Sequence, residues 1–246
     1  MTTLYATDNN IHTLVQQEIR RLGPNADLNH IDVSRVTYMT RLFSDSPFDG
    51  NISNWNVSRV LGMAYIFNNS KFKGDISKWN TSSVLDLSNA FAESQFDGDI
   101  SQWDVSNVIN MSGLFYYSRF NGDISKWNIS NVVNLNNVFH GGLFNQDISN
   151  WDTSKVISMM GMFRDSQFNR DISKWDVSKV KEFKNIFYRS KFSGLICNWN
   201  ICQELIFDKS FCLVIEHSYL LKNALESKIL KNNISKKNIT KNIHTL

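Results

Sequence analysis

Five aspartates recur at a step of 24 residues: Asp75, Asp99, Asp123, Asp147 and Asp171. Asn51 stands at the head of this column and Leu195 at its end. Carboxylates on neighbouring strands would lie about 4.8 Å apart and repel, so a cation between them could offset the charge. A calcium-binding roll of that kind needs glycine-rich loops, and the turn here holds one glycine. The better reading is local: each aspartate accepts backbone N–H groups of its own turn. A second column, Asp32, Asn56, Asn80, Asp104, Asn128, Asp152, Asp176 and Asn200, is read in the same way.

Cys197, Cys202, Cys212 and His217 give C-x4-C-x9-C-x4-H, which could be forced into a zinc site. Cys197 and Cys202 take places that hold Ser173 and Ser178 one repeat earlier, so buried thiols fit better. His12, His30, His140, His217 and His244 are scattered, no Ser/His/Asp grouping recurs, and there is no phosphate-binding loop. The residue types therefore point away from an enzyme, and neither a metal nor a cofactor is expected.

What must position these columns is a tandem repeat. All seven tryptophans, Trp55, Trp79, Trp103, Trp127, Trp151, Trp175 and Trp199, sit 24 residues apart. Phenylalanine keeps the same step from Phe48 to Phe192 and from Phe43 to Phe211, and isoleucine from Ile52 to Ile196. A fixed period between 20 and 50 residues is the signature of stacked arrays. Such arrays spend most side chains on neighbouring repeats and leave a few surface columns for binding.

Within residues 72–95, the Phe-Lys-Gly-Asp opening reads as a turn, with glycine supplying positive φ. The segment from Asp75 to Asn80 reads as a short parallel strand. Thr81 or Ser82 then offers an N-cap, and Val84, Leu87 and Phe91 give the inward stripe of about two helical turns. The expected fold class is an α/β repeat solenoid, leucine-rich-repeat-like, with one short strand and one short helix per 24-residue coil. Residues 1–24 form a helical cap, with Asp8 to Asn10 capping a helix that buries Ile11, Leu14, Val15, Ile19 and Leu22. Residues 25–212 carry about eight repeats. Residues 213–246 read as an amphipathic helix followed by a basic, disordered Asn/Lys/Ile tail.

Charge is unevenly placed over the 246 residues. The formal net charge is +3, but from Lys222 onward it is +5, leaving −2 for the rest. The repeat body is near neutral and does not read as a nucleic-acid binder. Three cysteines, none in the regular repeats, give no disulfide framework. No signal peptide, lipobox or membrane-spanning run is visible, so the sequence alone defaults to a cytoplasmic, soluble monomer.

The unit Phe-Asn-Gly-Asp-Ile-Ser-Lys-Trp-Asn-Ile-Ser-Asn-Val at residues 120–132, with Leu135 and Phe139 following, resembles BspA-type leucine-rich-repeat surface proteins. These are also described as the Mycoplasma-lipoprotein-type repeat family. The resemblance covers about residues 25–200. It implies a solenoid with parallel strands along one face, a binding role, and a cell-surface or secreted location linked in some relatives to adhesion. The chain departs from the surface members in lacking an export signal, and in a degraded eighth unit with Cys202 and Glu204 in the Ser/Thr and valine columns.

Binding is expected at polar columns beside the core. One runs Asn54, Lys78, Gln102, Lys126, Asn150, Lys174, with strand alternation turning it outward. The other includes Lys71, Arg119 and Lys191. Both lean basic, so an acidic protein or glycan surface is the expected partner. The alternative is an intracellular scaffold, or a decayed repeat protein without a selected ligand.

Overall fold

The computed structural model describes residues 2–196, 198–200 and 214–218. Three regular elements open the chain: β1 (Leu4–Tyr5), α1 (Ile11–Leu22) and β2 (Ile31–Asp32). β1 and β2 pair in parallel, with Leu4 opposite Ile31. Beyond them the backbone runs in 24-residue units stacked in register. Single parallel bridges tie Tyr38 to Gly62, Gly62 to Asp86, Asp86 to Asn110, and so on through Asn134 and Ser158 to Glu182.

On one side of each bridge the amides point to the next unit. Met63, Tyr65, Phe67 and Asn69 donate to the carbonyls of Asp86, Ser88, Ala90 and Ala92 at 2.8–2.9 Å. On the other side they point back, Leu85 to Leu61 at 2.8 Å and Ile109 to Leu85 at 2.9 Å. Backbone bonds of this kind tie each unit to the ones before and after it.

The local elements expected from sequence differ from those found. Residues 75–80 hold no strand; the Trp79 N–H bonds the Ile76 carbonyl at 3.2 Å and closes a turn. Residues 81–93 hold no helix, because Asn89 (φ 54) and Glu93 (φ 55) are left-handed. The same two positions are left-handed in neighbouring units, at Tyr65 and Asn69 and at Asn137 and Gly141. A left-handed residue every fourth position is incompatible with a right-handed helix. Instead, turns closed by Ala90 on Leu87 (3.1 Å), Ala92 on Asn89 (3.2 Å) and Ser94 on Phe91 (3.3 Å) alternate with the inter-unit bonds. Val84, Leu87, Ala90 and Phe91 are nonetheless all buried, since successive three-residue turns bring side chains inward at nearly helical spacing.

The core is three aromatic stacks. Phe48, Phe72, Phe96, Phe120, Phe144, Phe168 and Phe192 form an unbroken column with centroids 6.0–6.4 Å apart. The column from Phe43 to Phe187 is tighter, at 5.5–6.0 Å. Trp55 and Trp79 stack at 6.4 Å, nearly parallel. Offset aromatic pairs of this kind add about 0.5–1.5 kcal/mol each beyond area burial. Each tryptophan has a second task. Its indole N–H donates to a carbonyl in the preceding unit, as Trp127 does to Ile100 at 3.1 Å and Trp79 to Ile52 at 3.2 Å.

The turn glycine also has a different reason from the one expected. Gly74 is not left-handed; a Cβ there would meet the Phe72 ring at 2.7 Å. Glycine is favoured because the phenylalanine two residues earlier folds beneath it.

At the N-terminal end α1 lays Ile11 and Val15 against the core. Asn10 occupies the N-cap position without a side-chain cap bond. Asp8, expected to help cap the helix, accepts instead from the Thr37 and Tyr38 amides (2.7 and 3.1 Å) and pins the helix entry to the first unit. Glu18, on the covered side of α1, binds Arg21 and His30, with His30 Nε2 at 2.8 Å. At the other end residues 214–218 are helical, Val214 and Ile215 pack on the core, and Ser218 Oγ accepts the Ile196 N–H at 2.7 Å. The rest of the expected C-terminal helix and basic tail lies outside the described residues.

Candidate functional site

The aspartate column is explained by its own turns. Asp75, Asp99, Asp123, Asp147 and Asp171 each accept the amide two residues on, at 2.8–2.9 Å. These bonds hold the Asp75, Asp99, Asp123 and Asp147 carboxyls below the usual carboxylate range. For Asp99 the neighbouring Asp75 and Asp123 push the other way, and the turn amide wins. The second column behaves alike: Asn80 takes the Ser82 amide, Asp104 that of Ser106 and Asp152 that of Ser154, at 2.9–3.1 Å. Among the described residues no group of three or more His, Cys, Asp or Glu is placed to hold a metal ion. The Cys197, Cys202 and Cys212 positions lie outside the described residues.

The polar columns are exposed. Asn54, Lys78, Gln102, Lys126, Asn150 and Lys174 all face solvent, and so do Lys71, Arg119 and Lys191. Strand alternation is not the cause, since Ile76 and Trp79 both face the core three residues apart. The turn they close lifts Lys78 outward between them. Lysine and amide alternate along this column, so its lysines stand two units apart. Their charge is partly offset, because Lys78 and Lys126 act on Asp75 and Asp123 of the adjacent column. The surface is mixed rather than basic.

Two surface features were not legible from repetition of polar residues. The first is an aliphatic row beside the inter-unit bridges: Leu61, Leu85, Ile109, Val133 and Ile157. Leu85, Ile109 and Ile157 are 41%, 47% and 45% exposed. The valine before each is buried, and that adjacency in sequence masked the row as core. The second is a cluster where two columns change residue type at every unit. Tyr116, Tyr117 and His140 meet there, with centroids 4.8–5.2 Å apart. Asp165 adjoins His140 and bonds Arg189 at 3.2 Å. Burial, reinforced by Arg164, pushes the His140 pKa down, so the ring is neutral near pH 7. The signal that could have found this site was the absence of periodicity in otherwise periodic columns.

The profile of one family, described as "Mycoplasma protein of unknown function, DUF285", matches residues 10–119, 47–143 and 117–214. The chain belongs to the DUF285 family. The three overlapping matches also make it a tandem-repeat protein, in keeping with the stacked units. Comparison of this DUF285 chain with curated proteins and with solved structures yields no match. Among its described residues no helix is long and apolar enough to cross a membrane.

Proposed function

We propose that this DUF285 chain is a non-enzymatic recognition protein, a leucine-rich-repeat-like solenoid of the BspA type. It binds a protein or glycan ligand through side chains aligned along its surface columns. One observation carries this reading: exposed side chains at equivalent positions recur at one-unit spacing on an aromatic core that is almost fully buried. A backing of that kind fixes side chains before the ligand arrives, which lowers the ordering cost of binding. Lys78, Lys126 and Lys174, with Gln102 and Asn150 between them and Asn54 ahead of them, form the polar part of the surface. The row from Leu61 to Ile157 offers apolar area, the usual complement at a protein interface core.

Immobilised heparin, hyaluronate and polyglutamate serve as acidic probes. Replacing Lys78, Lys126 and Lys174 together by alanine should weaken binding about tenfold or more and flatten its salt dependence. Binding to none of the probes, or binding untouched by the substitutions, removes this column from the recognition role. Protease shaving of intact source cells tests the proposed surface location. Loss of the chain from intact cells supports it, and protection until lysis points to an intracellular scaffold.

A further inference from the structure

We propose that the groove beside Tyr116 is a subsite for one neutral sugar ring of a glycan. The groove encloses about 350 Å3 and is lined by Asn89, Ser112, Gly113, Tyr116, Asn136 and Asn137. None of these side chains is charged near neutral pH. A second recess of about 440 Å3, lined by Asn69, Glu93, Tyr116 and Tyr117, shares Tyr116 with the first.

The chain clears this space deliberately along two columns. Asn89, Gly113 and Asn137 are equivalent, and the Asn89 side chain leans over Gly113, where a Cβ would come within 2.2 Å of its Oδ1. Tyr117 lies down on the next unit in the same way. A Cβ on Gly141 would meet its ring at 2.5–2.7 Å, so glycine lets the phenol rest on the backbone with half its surface open.

These groups match the chemistry of a pyranose. Vicinal hydroxyls are donors and acceptors at once, as are planar side-chain amides. The sugar's C–H face is apolar and can lie on an aromatic ring, while its edge stays wet. The Asn89 backbone N–H is spent on the Ser112 carbonyl at 2.8 Å, but its side-chain amide makes no hydrogen bond among the described residues and is available. Asn136 Oδ1 is held by Ser158 Oγ and the Met160 amide, the latter at 2.7 Å, which fixes the direction of its NH2 group. Asn137 Oδ1 is steadied by His140 Nδ1 at 3.3 Å.

A peptide strand fits less well. The lining backbone is already spent on stacking, with Gly113 N–H on Asn136 at 2.7 Å and Phe115 N–H on Val138 at 3.0 Å. A charged sugar finds no cation in the first groove. The groove shares no lining residue with the lysine columns, so its fate is separate from theirs.

The test is saturation-transfer NMR on the full chain with four probes in the millimolar range. These are the methyl glycosides of glucose, galactose, mannose and N-acetylglucosamine, with sialic acid and a short Asn-rich peptide as controls. At least one neutral glycoside should receive saturation and neither control should. Tyr116→Ala, which removes the ring lining the groove, and Asn89→Gly, which keeps the left-handed backbone unstrained, should each weaken that binding roughly three- to tenfold. Lys179→Ala, exposed and outside both the groove and the lysine columns, should leave it unchanged. The inference is overturned if no neutral glycoside receives saturation, if the signal survives both groove substitutions, or if a control binds more strongly.

Discussion

Trp127 shows how one residue can be needed twice. Its ring stays only 4% exposed within the core, and its indole N–H satisfies the Ile100 carbonyl at 3.1 Å. Trp127→Ala should therefore cost about 3–5 kcal/mol, the usual range for truncating a large buried aromatic. Trp127→Phe keeps most of the packing and removes one of two hydrogen bonds to the Ile100 carbonyl, which still accepts the Trp103 N–H at 3.1 Å, so a loss of about 0.5–1.5 kcal/mol is expected. Lys126→Ala, one position away and exposed, should change stability by no more than about 0.5 kcal/mol. Urea unfolding of the three variants checks the order. Equal midpoints for Trp127→Ala and Lys126→Ala would mean that the inward and outward assignments are wrong. Glu18 makes a different kind of residue-level prediction. Its hydrogen bond from Arg21, and then that from His30, holds its carboxyl down to about 2 from an ordinary 4.5. A depressed carboxyl contributes stability that is complete above pH 4.5 and fades as pH falls through its folded value. Wild type should thus out-melt Glu18→Gln at pH 6, and the gap should close between pH 4.5 and pH 2. A gap that persists at pH 2 would show that packing, not charge, separates the two proteins.

At the scale of the element, sequence reading succeeded with periods and failed with conformations. The step of 24, the inward columns and the N-terminal helix over residues 11–22 were all visible, because burial and repetition leave their mark on residue type. The strand at 75–80 and the helix after 81 were not there to be found. A spacing of three between Ile76 and Trp79 already argues against a strand, whose faces alternate with a period of two. The helix reading failed for a subtler reason. Its apolar spacing is shared by a run of turns, and the residues that decide between them, Asn89 and Glu93, sit on the left-handed columns. Asparagine enters that region readily, but glutamate does not, so the sequence half-conceals the signal. This gives an element-level prediction. Glu93→Gly relieves a strained φ of 55 and should be neutral or stabilising by up to about 1 kcal/mol. Ala92→Gly, next to it and outside the left-handed region, should cost about 1–2 kcal/mol through chain entropy and the loss of a buried methyl group. Thermal melts that reverse this order would return the segment to a helix.

The proposed binding surface was legible only in part, and the reason lies in the whole molecule. Residues that stack must repeat, so periodicity finds them; residues that recognise a ligand need not, and the Tyr116–Tyr117–His140 cluster lies on columns that change type at every unit. The same division governs how the molecule should tolerate surgery. Each unit bonds only to its neighbours, through one bridge, a short run of amides and three aromatic contacts, so its stability is a sum of unit and interface terms. Removing residues 121–144 joins Phe120 to Asn145 and restores every column in register, since Phe144 stood in that place. The shortened chain should still unfold cooperatively, with a melting temperature lowered by a few degrees as one interface is lost. Removing residues 121–142 deletes almost as much chain but leaves the columns two positions out of step at the junction. Trp103 would then face a displaced partner, and the inter-unit amides could not pair on both sides of the cut. That variant should lose cooperative melting in the C-terminal half while the units before Phe120 retain theirs. Near-ultraviolet circular dichroism of the tryptophan ladder distinguishes the two cases, because it reports ordered aromatic packing rather than backbone content. Identical melts for the two deletions would refute a register-dependent stack, and with it the rigid backing on which the proposed recognition surface rests.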